Sequence, residues 1–267
     1  MADVLPLRLW RRFLALPLES RPKTLAVAFA VSAVCAALVT GATVILRPIQ
    51  EANRAAETQL RLEALLSAIP GMEQIMAEAG GDVLSAVVVD LDAGRAADDV
   101  TPATIEAALG DAANWTALTP EQDVAMIGRR PDLAQVFLLR DAAGDIALVV
   151  LPVFGAGYNG TIRAMLALHG DMNTIAGVAV TDQSETPGLG ARIEEPAWQA
   201  GFAGKRVADE AGRIRFAVAS GPAAGPHEVD GITGATRTSN AITRIVRFWM
   251  GPDGYGPLID AIRRGEF

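Results

Sequence analysis

Asp230-Gly231-Ile232-Thr233-Gly234-Ala235-Thr236-Arg237-Thr238-Ser239-Asn240 gathers hydroxyl side chains around small residues. Ile242, Ile245, Val246 and Trp249 then recur at i, i+3, i+4 and i+7, the spacing of one apolar helix face. Thr238, Ser239 and Asn240 are all good N-cap residues, so the helix is expected to start there. Thr233 and Thr236 then sit in a small-residue loop at a helix N-terminus. Free N–H groups and the positive end of the helix dipole favour a phosphate at such a place. Gly234 and Ala235 leave space for a bulky group beside the Thr236 hydroxyl. The residues alone leave two readings open, a capped helix start and an anion site.

Three other segments carry recognisable spacing. In Glu185-Thr186-Pro187-Gly188-Leu189-Gly190, Pro187 sets φ for the first central position of a turn and Gly188 suits the positive φ of the second. Gly155-Ala156-Gly157-Tyr158-Asn159-Gly160 matches G-x-G-x-x-G in form, with Asp182 downstream, but TIRAMLAL follows it where a dinucleotide fold needs a helix. It reads as a glycine-rich turn between strands. Gly201 to Arg206, GFAGKR, lacks the Ser or Thr that a phosphate loop needs after Lys205. Lys205 remains a candidate for meeting an anionic ligand, with a solvated lysine as the plain alternative.

The elements that must position these segments are short strands. VLSAVVVDLDAG, QVFLLRDAAGDIALVVLPV, TIRAMLAL and TIAGVAVTDQ read as strands, with Asp141 to Asp145 as a hairpin turn inside the second. Helical patterns are fewer: TPATIEAAL near 101, EPAWQAGF near 195, and 238–250. Strands joined by turns with occasional helices indicate an α+β fold. The 267-residue chain is 51% hydrophobic and 20% charged, with a formal net charge of −8, so it can bury a core and lacks the basic surface of a nucleic-acid binder. One cysteine, Cys35, excludes an internal disulfide and a Cys-based metal site made by this chain alone. Cys35 reads as a small packing residue, and His169 and His227 as loop residues.

The N-terminal part differs in texture. Residues 1–24 hold five bases (Arg8, Arg11, Arg12, Arg21, Lys23) against two acids, and residues 25–46 hold no charge. As a helix those uncharged residues extend roughly 33 Å, enough to cross a bilayer core. The run is longer than the apolar core of a cleavable signal peptide, the competing reading. The basic flank predicts a cytoplasmic N-terminus and an acidic bulk outside. LPLRLWRRFLALPL, 5–18, suits the lipid interface or a basic tail. Residues 47–71 carry strong helix formers up to Pro70-Gly71 and are expected to extend the span as a helical stalk. The expected organisation is therefore leader 1–24, membrane helix 25–46, stalk 47–71 and an outer domain 72–267.

DGITGAT, 230–236, resembles the flavinylation motif Asp-x-x-(Ser/Thr)-Gly-Ala-Thr. ETPGLG followed by EPAWQAGFAGK, and GAGYNGTI upstream, resemble the FMN-binding domain that carries that motif. The anchor followed by RPIQEAN, the overall length and GYGPLIDAIR near the C-terminus resemble the C subunit of the sodium-translocating NADH:quinone oxidoreductase. GAGYNGTI by itself is closer to a sister family, the G subunit of the ion-translocating ferredoxin:NAD oxidoreductase (Rnf) complex.

The resemblance implies an extracytoplasmic FMN-binding domain, on an antiparallel twisted sheet with flanking helices, behind one membrane helix. It implies FMN bound covalently through a phosphoester to Thr236. Thr233, Gly234, Ala235 and Thr238 would shape the phosphate end, Glu185, Thr186, Leu189 and Gly190 would line the flavin, and Lys205 would meet its charge. No metal ligand and no catalytic side chain are assigned to this chain. The implied role is an electron relay from NADH toward ubiquinone in a complex that exports Na⁺. NADH oxidation and quinone reduction would fall to the partner A, B, D, E and F subunits, and a flavin transferase would mature the protein. The implied place is the bacterial inner membrane, with the main domain periplasmic. Two rivals are the Rnf subunit and a membrane-anchored assembly module without redox function, and the order of ETPGLG and DGITGAT argues against the second.

Overall fold

The computed structural model describes residues 21, 23–25, 27–37, 40–41 and 84–267. The chain divides into two units, Met1–Leu60 and Arg61–Phe267. In the first, the described residues are helical, and Leu25, Val27, Phe29, Val31 and Val34 expose their apolar side chains, as Cys35 exposes its thiol. Among the described residues no helix is long and apolar enough to cross a membrane. The expected span, 25–46, is only partly described, and the stalk, 47–71, lies outside the described residues, as does nearly all of the leader.

The second unit is α+β. Its strands are β1 (Leu84–Asp90), β2 (Arg95–Ala96), β3 (Trp115–Ala117), β4 (Arg129–Pro131), β5 (Leu133–Arg140), β6 (Ile146–Ala156), β7 (Thr161–His169), β8 (Ile175–Asp182), β9 (Ala217–Val218) and β10 (Glu228–Val229). Six of them form one sheet in the order β2-β1-β5-β6-β7-β8, with every neighbour antiparallel. The hairpin expected at Asp141 joins β5 to β6: Asp141 N donates to Asp145 O at 2.9 Å, and Gly144 takes φ +91°. TIRAMLAL is β7, so the glycine-rich segment before it is the turn of a β-hairpin and not a dinucleotide loop.

The strands alternate as their sequences require. Val136, Leu138, Val149, Leu151, Val153, Ile162, Leu166 and Leu168 face one core, while Phe137, Leu139, Leu148, Val150, Met165 and Ala167 face a second core on the other side of the sheet. Among the described residues of this unit the α-helices are α1 (Ile105–Leu109), α2 (Pro196–Gln199), α3 (Thr236–Trp249) and α4 (Gly256–Arg263). The apolar face of α3, Ile242, Ile245, Val246 and Trp249, packs into the first core as its spacing predicted.

Two buried polar tips lock α3 and the residues after it to β6. Trp249 Nε1 donates to Phe154 O at 2.6 Å, and Tyr255 OH donates to Pro152 O at 2.8 Å. Gly155, next to the Phe154 acceptor, has Ile245 Cγ1 only 2.6 Å from where a Cβ would stand, so any larger residue would push helix and strand apart. The helix that bears the threonine motif is thereby fixed to the strand that ends in the glycine turn.

Helix α3 starts two residues earlier than expected, at Thr236, with Ala235 as N-cap and no side-chain cap. Thr238 and Ser239 are buried within the first turn instead of bounding it. Tertiary partners explain the shift. Thr238 points into the adjoining loops, and Ser239 Oγ accepts Ile232 N at 3.4 Å, reaching back over the loop before the helix.

Candidate functional site

Three loops meet at one end of the sheet: the β6–β7 turn at 157–160, the loop 183–190 after β8, and the loop 230–235 that enters α3. Glu185 joins them. Its carboxylate is 4% exposed. Oε1 accepts Tyr158 N at 2.7 Å and Asn159 N at 3.1 Å, and Oε2 accepts the Thr238 hydroxyl at 2.5 Å. Hydrogen bonds to a charged acceptor are about twice as strong as neutral ones, which is how a buried carboxylate with no ion-pair partner among the described residues is sustained here.

The glycines of the motifs make that approach possible. A Cβ on Gly190 would lie 2.5 Å from Thr238 Oγ1 and 2.8 Å from Glu185 Oε2, and one on Gly157 would collide with Glu185 Oε1. The turn read in ETPGLG is present: Leu189 N donates to Thr186 O at 3.1 Å, with Gly188 at φ +75°. Asn159 Nδ2 donates to Thr186 Oγ1 at 3.0 Å, a second tie between the turn and the loop.

The outer face of the junction holds groups with spare bonding capacity. Thr233, Gly234 and Thr236 are exposed, and no side-chain partner holds either threonine hydroxyl among the described residues. Nor do the N–H groups of Thr236, Arg237 and Thr238 meet a backbone acceptor there, as expected for the first turn of a helix. Gly234 takes φ +80°, and the methyl Cδ2 of Leu189 sits 3.1 Å from where its Cβ would be. Leu189 is 44% exposed and Tyr158 52%, so an aliphatic and an aromatic surface flank the threonines. The Arg237 guanidinium lies over the Tyr158 ring, 5.0 Å from its centroid. A free hydroxyl, three unpaired N–H donors, a glycine that leaves room and an apolar flank together fit a phosphate joined to an aromatic ring system.

The expected site residues thus divide into two groups. Thr233, Gly234, Thr236 and Leu189 face outward, whereas Glu185, Gly190, Ala235 and Thr238 lie beneath them and hold the loops together, with Thr186 half-buried between. Glu185 and Gly190 were expected to line a flavin; burial places them behind that surface. Lys205 is elsewhere. Its Nζ donates to Gly225 O at 3.3 Å, and its backbone O accepts Ile175 N. Ile175 opens β8 whereas Glu185 follows its end, so the two ends are separated by roughly 23 Å of strand. Asp230, the first residue of DGITGAT, serves the loop itself: Oδ1 accepts Ala223 N at 2.7 Å and O accepts Trp198 Nε1 at 2.8 Å.

Tyr158, Asn159 and Arg237 were missing from the expected set. An aromatic ring inside a glycine-rich turn and a base directly after Thr236 were the available signals. A separate groove of about 490 Å³, lined by Met172, Asn173, Ile214, Met250, Pro257 and Arg263 among others, shares no residue with this junction. Among the described residues no cluster of His, Cys, Asp and Glu could hold a metal ion.

Comparison with known proteins supplies the context. The model of the FMN-binding domain family matches residues 157–251, a stretch that contains all three loops. The chain is 36% identical over 254 residues to the C subunit of the Na(+)-translocating NADH-quinone reductase of Yersinia pestis, covering 92% of this chain and 95% of that one. It is 36% identical over 257 residues to the protein of that name from Pseudomonas aeruginosa, covering 93% and 98%. The crystal structure of Shewanella oneidensis NqrC superposes with a TM-score of 0.63 at 28% identity, over 72% of this chain and 88% of that one.

Proposed function

Because the chain belongs to the family of the Na(+)-translocating NADH-quinone reductase C subunit, we propose that it is the flavoprotein subunit of such a complex and carries FMN covalently on Thr236. The observation that carries the assignment is local. Of the three threonines in 233–238, Thr238 is buried and bonded to Glu185, while Thr236 presents a free hydroxyl at the first residue of α3. The bond formed joins Thr236 Oγ1 to the flavin phosphate of an activated donor, a flavin dinucleotide. The phosphoanhydride bond to the nucleotide half breaks, the nucleoside monophosphate leaves with the hydroxyl proton, and the chain gains the mass of FMN less water.

When bound, FMN supplies the electron-carrying chemistry. The chain's own residues hold it. The N–H groups of Thr236, Arg237 and Thr238 would hold the phosphate end, where the helix dipole favours a negative charge. Gly234 would leave space beside the ester, and Leu189 and Tyr158 would offer apolar surface to the ring. Glu185 fixes the relative position of the three loops without touching the cofactor.

In the complex, this protein relays electrons from NADH toward ubiquinone while the partner A, B, D, E and F subunits carry out the terminal reactions and Na⁺ export. The uncharged run 25–46 anchors it in the bacterial inner membrane, with the basic leader cytoplasmic and the FMN domain periplasmic. A flavin transferase installs the cofactor.

Intact-mass measurement on membrane-purified protein, co-expressed with the transferase, tests the attachment. The wild-type chain and Thr233→Ala should carry the added mass and fluoresce in a denaturing gel, and Thr236→Ala should do neither. A label that persists in Thr236→Ala overturns the assignment. An impermeant thiol reagent should reach a cysteine placed in the outer domain from the periplasmic side and miss one placed beside Arg11; the reverse pattern overturns the topology.

A further inference from the structure

Arg237 sits where helix physics disfavours it. It is the second residue of α3, the first turn of that helix holds no acid, and the positive end of the dipole points at the same place. Among the described residues no carboxylate lies within ion-pair distance of its guanidinium. Its contact is the face of Tyr158, 5.0 Å from the ring centroid. That ring stands out from the β6–β7 turn half-exposed, on a backbone pinned by Glu185. A cation with no carboxylate partner among the described residues and a solvent-facing aromatic ring are thus brought from different loops to the neighbour of a free threonine hydroxyl.

We infer that Arg237 is a positioning residue whose guanidinium, steadied on the Tyr158 ring, supplies the counter-charge of the phosphodiester at Thr236. The inference rests on the reading of Thr236 as the attachment point. Its chemistry is specific to arginine. A planar guanidinium stacks on an aromatic face and keeps its donors free at the edge for phosphate oxygens, which a lysine ammonium does not do in the same geometry. Formation of the ester turns a site with a surplus positive charge into one that is nearly neutral. The pair therefore favours both the approach of the flavin phosphate and its retention in one orientation.

The test uses the full chain in detergent, with the flavin transferase, comparing Arg237→Gln, Arg237→Lys, Tyr158→Leu and the charge-matched control Arg213→Gln. Arg213 pairs with Asp209 on another loop. Two quantities are read: the initial rate of FMN incorporation by mass, and the ³¹P resonance of the resulting phosphodiester. At low salt Arg237→Gln is expected to incorporate FMN about fivefold more slowly, the upper end for losing one solvent-exposed ion pair. The deficit should shrink at about 1 M salt, where the Debye length is about 3 Å. Arg237→Lys should recover part of the rate, Tyr158→Leu should lose part of it, and Arg213→Gln should match wild type. The ³¹P resonance should move in Arg237→Gln, which a general loss of stability would not cause. If the wild type is flavinylated and Arg237→Gln equals it in both rate and resonance, the inference is overturned while the attachment stands. If Thr236→Ala still takes up FMN, the attachment reading has failed instead, and the inference falls with it.

Discussion

Replacing Glu185 probes the junction at the point where all three loops converge. The carboxylate accepts three hydrogen bonds while buried. Bonds to a charged group contribute about 1.5–3 kcal/mol each, against about 0.5–1.5 for neutral ones, so Glu185→Gln forfeits roughly 1 kcal/mol per bond. The amide also presents Nε2 to Thr238 Oγ1, which must turn from donor to acceptor. Part of this loss is offset, because a buried amide avoids the desolvation penalty of a carboxylate. The expected net cost is about 1–3 kcal/mol for Glu185→Gln. Glu185→Ala leaves two backbone N–H groups and a buried hydroxyl without an acceptor, which raises the expected cost to about 3–5 kcal/mol. Chemical denaturation of the full chain in detergent, followed by tryptophan fluorescence, measures the difference. Hydrogen exchange at the Tyr158 and Asn159 amides locates it. A Glu185→Ala chain within about 0.5 kcal/mol of wild type, with both amides still protected, would refute the role given to this residue.

Two glycines of ETPGLG separate crowding from backbone strain. Gly190→Ala would set a Cβ 2.5 Å from Thr238 Oγ1 and should cost about 1–3 kcal/mol. Gly188→Ala meets nothing within 4 Å and should lose only about 1 kcal/mol from its φ of +75°, so equal or reversed midpoints in denaturant would contradict the packing described. Burial pushes the Tyr255 phenol well above its ordinary range, so the folded chain keeps that proton where the unfolded chain releases it. Stability from this group is complete below about pH 10 and falls as pH rises further; Tyr255→Phe should cost about 1 kcal/mol at pH 8 and show a flatter decline above pH 10. An equally steep alkaline decline in Tyr255→Phe would assign it to other groups. Lys205→Gln should leave FMN content and flavin potential unchanged, since its Nζ bonds to Gly225 O at the far end of β8, and loss of bound flavin would contradict that placement.

Local pattern exposed most of the scaffold. Short apolar runs in QVFLLR and IALVVLPV, split by the Asp141–Asp145 turn, marked paired strands, and the 3.6-residue spacing from Ile242 to Trp249 marked the buried side of α3. Such patterns depend on residues a few positions apart. The junction does not. Glu185 and Thr238 are separated by 53 residues, and nothing near either one announces the other. The start of α3 was misplaced for the same reason: Thr238 and Ser239 have the chemistry of caps but spend their hydroxyls on distant and upstream partners. Lys205 was a candidate because a lysine in the glycine-containing GFAGKR could meet an anion, but residue type does not give position, and the chain has by then returned to the opposite end of β8 from Glu185. The glycines at 157 and 190 were the one readable hint, since each marks a close approach that only the folded chain explains.

The two locks on β6 also set the order in which the molecule can be built. Trp249 reaches back 95 residues to Phe154, and Tyr255 reaches back 103 residues to Pro152. Contacts of such separation are entropically expensive to close and slow folding relative to local ones. Synthesis delivers β5 to β8 long before α3, so the sheet must wait with its inner apolar face unprotected, a state prone to aggregation. Thr236 belongs to the segment that ends this interval. Under the attachment proposed above, Thr236 stands beside Leu189 and Tyr158 only in chains that have docked α3, so flavin attachment that uses this arrangement would mark completed folding.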